Sequence, residues 1–399
     1  MGEHRVLVSF SENIDASSKD LLGKQISKLL KFSGLNFSNK EMKKSIVLID
    51  AEDPIKVAEV LSNIPGVDYT AVVETTSSNY EDVVESMVRA GMKLIYPNET
   101  FSIRVDIKGS LPYLSRDIEF ATCARIIGEL GKKNVRLDKK NPSKVIYAKI
   151  EDEIACIFYY KYDGPGGMPV GSKGKALCPL LGDSSSSVSS WMMARQGIFP
   201  YLVFFDIRPC FDHSYVKRVI TIATLLREFL PVRRYSLISL KIGFIIESLK
   251  QICSSEVLPS IYNRMIMRIT CAYADKIGIS AIVIGESLDK ISFQTLKDYF
   301  EISSKYDKQI LFPLIGLSKK EILDYSKRIG IFKFTKESEG ELKILPNKPN
   351  RRAIMEAESK LEIDRLVEEA LIKAVSIDLK SGFDDLHKIL NDYFSQELE

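Results

Sequence analysis

Apolar and polar positions run in two different rhythms along this chain, and the change falls near residue 177. In the first part, short strand-like runs alternate with amphipathic stretches. Val6–Ser9 is a β-rich run, and Leu21, Leu22, Ile26, Leu29 and Leu30 form a helical stripe. Residues 45–49 (SIVLI) read as a buried strand. Pro54–Leu61 reads as a short helix with proline in its first turn, where a missing N–H costs little. Residues 67–74 return as a strand after Pro65-Gly66. This β-α-β-β-type alternation predicts a small α+β module over 1–75.

A second module is predicted over 76–165. It has helices at 80–91 and 118–130, a strand at 100–107, and a closing strand pair at 144–149 and 154–160. The stretch DGPGGMPVGSKGKA, residues 163–176, reads as a loop or linker. From there to residue 350 the pattern predicts a doubly wound α/β domain. Its strands fall at 177–181, 201–206, 235–240, 281–285 and 310–312. Its helices fall near 186–196, 216–229, 243–253, 261–276, 294–303 and 319–328. Residues 351–399 read as a polar, acidic helical tail. No internal repeat is evident.

Composition narrows the class. The 399 residues are 45% hydrophobic and 27% charged, which excludes a disordered chain. At about 100–200 residues per domain, two or three domains are expected. The N-terminus lacks a signal-peptide pattern, and no apolar run reaches the roughly 18 residues of a membrane span. The six cysteines are scattered without a CxxC pair, so neither a zinc site nor a redox dithiol is written locally, and a reducing cytoplasm is expected. The three histidines are isolated, and no metal site is assigned.

The net charge of +3 is an average over unlike parts. Residues 101–150 hold eleven basic and five acidic residues, whereas residues 351–399 hold seven basic and twelve acidic. The second module therefore offers either a phosphate-binding face or an ordinary solvated one. The candidates on it are Arg104, Arg116, Lys132, Lys133, Arg136, Lys139 and Lys140.

The sharpest local feature is LCPLLGDSSSSVSSWMMARQG, residues 177–197: an apolar strand, a Gly-Asp-Ser turn and a helix closed by Gly197. Unsatisfied N–H groups and the helix dipole make such an N-terminus an anion site. It also reads as a serine-capped helix with no ligand. A Walker A loop is excluded because no Gly-Lys-Ser/Thr follows, and a dinucleotide fingerprint because GxGxxG is absent.

The run GPGGMPVGSKGKAL (164–177) resembles the segment that joins the THUMP RNA-binding domain to the PP-loop ATP-pyrophosphatase domain in the tRNA 4-thiouridine sulfurtransferase family. NRMIMRI (263–269), GESLDKISFQTL (285–296) and PLIGLSKKEI (313–322) are similar to further family segments. The resemblance covers about residues 1–350. It implies an N-terminal ferredoxin-like domain (1–75), a THUMP domain (76–165) and a PP-loop domain (166–350). It implies ATP with Mg²⁺ as cofactor and tRNA as partner, and it leaves room for a homodimer. The implied nucleotide site comprises Pro179, Leu180, Gly182, Asp183, Ser184, Ser185, Ser186, Phe204, Phe205, Asn263, Arg264, Gly285 and Gln294. Within it, Phe204 and Phe205 would pack by the adenine, though as residues both also read as strand core.

Departures accompany the matches. Where the family writes SGGxDS, this chain has Leu181, Gly182, Asp183, Ser184, Ser185 and Ser186, so the family's aspartate is Ser185. Asn263 replaces the first arginine of the family's RRMML-like run. Gly340 stands at the position of the sulfur-carrying cysteine, and no C-terminal rhodanese domain is expected. The resemblance implies that ATP adenylates a uridine in tRNA before sulfur displaces AMP. Without the cysteine, sulfur would come from free sulfide, a partner protein or another thiol; Cys178 and Cys210 flank the loop but read as packing thiols. Two other roles stand beside tRNA 4-thiouridine formation: a catalytically degenerate THUMP protein that only binds tRNA, and sulfur transfer toward the thiazole of thiamine.

Overall fold

A computed structural model describes residues 5–12, 14–210, 213–289, 291, 293–335, 351–379 and 386–395. The chain divides into two compact units, Met1–Pro169 and Val170–Glu399.

The first unit runs β1 (Arg5–Phe10), α1 (Ala16–Phe32), β2 (Phe37–Met42), β3 (Ile46–Ala51), α2 (Pro54–Leu61) and β4 (Val67–Ser77). It continues with α3 (Tyr80–Leu94), β5 (Thr100–Lys108), α4 (Ser115–Leu130), β6 (Arg136–Leu137), β7 (Lys144–Glu151), β8 (Ile154–Phe158) and β9 (Tyr162–Asp163). The strands form one sheet in the order β2-β3-β1-β4-β8-β7-β5-β6, with β9 also paired to β4. Strand β2 escapes the hydrophobic pattern because FSNKEM is a polar outer strand that buries none of its residues fully.

The expected boundary at 75/76 falls inside β4. This strand of eleven residues pairs with β1 through Val67–Val73 and with β8 through Glu74–Ser77, so it belongs to both modules. Separate apolar clusters still mark the two halves. Val6, Leu22, Ile26, Val47 and Leu61 pack together in one, and Val83, Met87, Phe101, Ile126 and Ile146 in the other.

The second unit runs β10 (Lys175–Pro179), α5 (Ser184–Arg195), β11 (Phe199–Asp206), α6 (His213–Arg227), β12 (Ser236–Lys241), α7 (Gly243–Ile252), α8 (Leu258–Lys276), β13 (Ala281–Val283) and α9 (Phe293–Lys305). It ends with β14 (Gln309–Leu311), α10 (Lys319–Arg328), α11 (Arg351–Ser359), α12 (Ile363–Ile372), β15 (Val375–Asp378) and α13 (Leu386–Ser395). The sheet order is β14-β13-β10-β11-β12-β15. The first five strands are parallel and β15 is antiparallel to β12. Helices on both faces explain the near-continuous apolar run of β11, whose Leu202–Asp206 are all buried.

The chain from β10 builds outward through β11 and β12, then returns to the other side of β10 with β13. Strands β10 and β13 thus flank the point where the winding reverses, the place where open α/β sheets receive ligands.

Residues 351–399 are not a polar helical tail. Val375–Asp378 add an edge strand to the sheet, and Ile354, Val367, Ala370, Ile377, Leu390 and Tyr393 are buried in the core of the second unit. The acidic count hid this because the buried apolar positions are few and interspersed with charged residues. No helix among the described residues is long and apolar enough to cross a membrane.

Candidate functional site

The turn after β10 is built by local polar geometry. Leu180 is fully buried and donates its amide to Val203 O at 2.7 Å, which fixes the exit from the sheet beside β11. Pro179 ends the strand. Gly182 adopts φ +76°, which L side chains rarely do. A Cβ there would lie 3.0 Å from Arg218 Nε and 3.3 Å from Val219 Cγ2, both on α6.

Asp183 is the N-cap of α5 and accepts the amide of Ser186 at 2.9 Å. The Ser186 hydroxyl also donates to the Asp183 carboxylate and accepts the Leu181 amide at 3.0 Å. Ser187 Oγ donates to Asp183 O at 2.6 Å, and Ser189 and Ser190 both donate to Ser186 O. Ser184 Oγ meets Thr335 Oγ1 at 2.9 Å and Ser326 Oγ at 3.3 Å. Ser184, Ser185 and Ser186 are all buried, while Leu181 is exposed.

Gly285, just after β13, closes the other side. A Cβ on it would stand 2.7 Å from Ser186 Cα and 2.9 Å from Ser186 N, so only glycine admits this approach. The structure therefore brings together residues 179–186 and Gly285 at the reversal point of the sheet.

Other expected nucleotide residues lie elsewhere or face elsewhere. Phe204 and Phe205 are 0% and 1% exposed and form sheet core; Phe204 packs edge-on against Tyr393 at 6.4 Å, so neither offers a face to adenine. Arg264 is turned into an ion cluster, with Nε 2.7 Å from Glu358 and Nη1 3.0 Å from Asp298. Burial disfavours a charged Glu358, but hydrogen bonds from Arg264 and Arg268 outweigh this and hold its carboxyl below the usual range. Asn263 is half-buried on α8. Gln294 lies in α9, with its side chain outside the described residues, as is Gly340.

Two groups at this edge were not expected. At the end of β11, buried Asp206 accepts from Arg208 and, at 2.7 Å, from the Tyr393 hydroxyl, which also meets Ser239 Oγ at 2.8 Å. Burial opposes ionisation of Asp206, and the donors from Arg208 and Tyr393 overcome it, leaving the carboxyl below its usual range. Arg218 lies on the same helical stripe as Tyr215 and Ile222. A charge on an apolar stripe is the sequence signal that would have found it.

The thiols are poor nucleophiles where burial dominates. It pushes Cys178, Cys156 and Cys271 up to about 12 and Cys123 up to about 11. Cys210 is half-buried, with Lys250 Nζ 3.9 Å from its Sγ.

On the first unit, Lys132 and Lys133 follow α4, Arg136 lies on β6, and Lys139 and Lys140 occupy the next loop; all five are exposed. Strand β6 ends the sheet, pairing Arg136 with Thr100 of β5. Asn134 Oδ1 holds the Arg136 guanidinium at 2.8 and 3.1 Å, and Asp138 accepts the amides of Lys140 and Asn141. These five form one basic edge. Arg116 is at the opposite end of the sixteen-residue α4, about 20 Å away along its axis. Arg104 is exposed in the middle of β5, outside the edge cluster.

Comparison with known proteins follows this division. Residues 171–365 match the family model described as "Thiamine biosynthesis protein (ThiI)", and residues 78–159 match the THUMP domain. A curated "Probable tRNA sulfurtransferase" of Methanosarcina mazei is 24% identical over 90% of this chain and 90% of its own length. One of Methanocaldococcus jannaschii is 28% identical, over 88% and 93%. The crystal structure of a 4-thiouridine synthetase–RNA complex with bound ATP shares the fold: TM-score 0.74 and 21% identity over 94% of this chain and 99% of that one.

Proposed function

This chain belongs to the tRNA 4-thiouridine sulfurtransferase family, and from that premise we propose that it is an ATP-dependent tRNA sulfurtransferase of the cytoplasm. The observation that carries the nucleotide site is the strand–glycine–helix turn at the reversal point of the parallel sheet, with Gly285 pressed against the start of α5. ATP, bound with Mg²⁺, would supply the AMP that turns the C4 oxygen of a uridine into a leaving group.

The chain's own contribution is positioning. The Gly182 turn and the first amides of α5 would receive the phosphates, with Ser184, Ser185 and Ser186 around them. The basic edge of Lys132, Lys133, Arg136, Lys139 and Lys140 would hold the tRNA backbone. Burial keeps Cys178 protonated, so the sulfur is assigned to free sulfide, which would displace AMP directly, delivered from solution or by a partner protein. Sulfur transfer toward thiamine thiazole would use the same nucleotide site.

Nucleoside analysis of tRNA from cells with and without the gene tests the reading. 4-thiouridine should be present with the gene and absent without it; unchanged 4-thiouridine would reject the tRNA role. One observation favours a second reading, a tRNA-binding protein that has lost catalysis: Asp183 already occupies the amide that a phosphate would use. That reading predicts tRNA binding with no ATP binding up to millimolar concentrations.

A further inference from the structure

The loop that would receive phosphate already holds an anion. The Asp183 carboxylate takes the Ser186 amide and the Ser186 hydroxyl, two donors facing the start of α5. A cation sits on the other side of the same turn. Arg218 Nε is shielded from solvent and has no hydrogen-bond partner among the described residues, although it lies 3.0 Å from where a Gly182 Cβ would be. Its guanidinium rests over the Tyr215 ring at 5.8 Å and makes no ion pair among the described residues. A shielded guanidinium N–H without an acceptor is costly unless something occupies the space it faces. Topology places it at the ligand edge: β10 and β11 are parallel neighbours, so α6 starts at the same carboxyl end as the Gly182 turn.

We propose that Arg218 is a phosphate-binding residue of this site and that Asp183 is its resident competitor, displaced from the Ser186 amide when a nucleotide polyphosphate enters. This rests on the reading that the chain binds ATP. The chemistry suits the exchange. A guanidinium offers a fork of donors to phosphate oxygens, and a phosphate can take over the hydrogen bonds that a carboxylate gives up. Gly182 permits it, because any side chain there would stand between the turn and Arg218. Asp183 would otherwise repel the incoming charge, so the two residues set nucleotide affinity in opposite directions.

The test is calorimetric titration of the full-length chain with Mg-ATP and with adenosine, for wild type, Arg218→Gln, Arg218→Lys, Asp183→Asn and Asp183→Gly. Thermal melts establish that each variant is folded. Asparagine keeps the cap acceptor without the charge, and glycine costs a cap little. The expected result is ATP binding weakened about tenfold or more by Arg218→Gln, only partly restored by Arg218→Lys, which returns the charge without the fork, and tightened severalfold by both Asp183 variants. Adenosine binding should not change. Measurable and equal ATP affinity in wild type and Arg218→Gln would overturn the proposal and leave the ATP reading intact. Where binding appears only in the Asp183 variants, Arg218→Gln added to Asp183→Asn should weaken it about tenfold, and unchanged affinity in that double variant would overturn the proposal. No ATP binding by wild type or either Asp183 variant would overturn both.

Discussion

The basic edge of the first unit and the serine turn of the second are both places where an anion could sit, yet they are made in opposite ways. At the edge, Lys132, Lys133, Lys139 and Lys140 project from short turns and form no ion pair among the described residues. Their charge is left to solvent and to whatever phosphate comes near. In the turn, the polar groups are answered from within: Asp183 by Ser186, Ser187 by the Asp183 carbonyl, Ser184 by Thr335 and Ser326. An anion reaching the edge displaces water and counterions. One reaching the turn must displace Asp183. The edge is thus a site of net charge and the turn a site of geometry, and they should respond differently to salt, to truncation and to acid.

The largest expected effect comes from truncating a residue that faces inward. Phe204→Ala removes a fully buried ring between β11 and Tyr393 and should destabilise the chain by about 3–5 kcal/mol, as a large-to-small core change does. Denaturant unfolding measures it. Were Phe204 a platform for adenine, stability would hardly move and only ATP affinity would fall, and the contrast between a closed turn and an open edge would break.

This also shows what was legible in the sequence. Regional charge counting found the edge because exposed lysines carry almost no structural constraint, so composition reports them directly. The parallel sheet was legible for a similar reason: strands buried on both faces are written as apolar runs. That same pattern could not say whether Phe204 and Phe205 face a ligand or a core, since both read as apolar strand. The direction of Arg264 was equally hidden, because its partners Asp298 and Glu358 lie 34 and 94 residues away. In the sequence Asp183 stands only as a departure within the implied nucleotide loop, and its role as helix cap follows from its contact with the Ser186 amide. Strands β2 and β15 were missed because each is a peripheral strand with a polar or broken pattern.

Reversing the edge should have the next largest effect. Lys132, Lys133, Lys139 and Lys140 all changed to Glu should weaken tRNA binding by about 100-fold or more at moderate salt. The slope of log affinity against log salt should shrink by roughly three to four. Because these side chains support nothing, folding stability should stay within about 0.5 kcal/mol. Filter binding across a salt series, with a melt as control, reads both quantities. A fall in stability of 2 kcal/mol would mean the edge is built into the fold as tightly as the turn, and a salt slope that does not change would remove it from the RNA site.

Acid separates the two regions most gently. Asp206 and Glu358, both in the second unit, have carboxyls held below their usual range by Arg208, Tyr393, Arg264 and Arg268 against the opposing cost of burial. A carboxyl depressed in the folded state stabilises fully above its unfolded value, about 4, and the stabilisation disappears as pH falls through the lower folded value. Stability should therefore be flat from pH 7 to about 5 and decline below about 4. Glu358→Gln should lower the plateau and flatten the decline, by about 1 kcal/mol or more because it leaves two arginines sharing a neutral amide. Both of these carboxyls lie in the second unit and the basic edge lies in the first, so any loss of RNA binding below pH 4 should follow unfolding rather than precede it. Chemical denaturation at a series of pH values, paired with RNA binding at the same values, orders the two events. Loss of RNA binding while the chain is still folded would mean that protonating Asp138, whose carboxyl the Asn141 and Lys140 amides hold below its usual range, rearranges the loop that carries Lys139 and Lys140, and the division between a site made of charge and a site made of geometry would no longer hold.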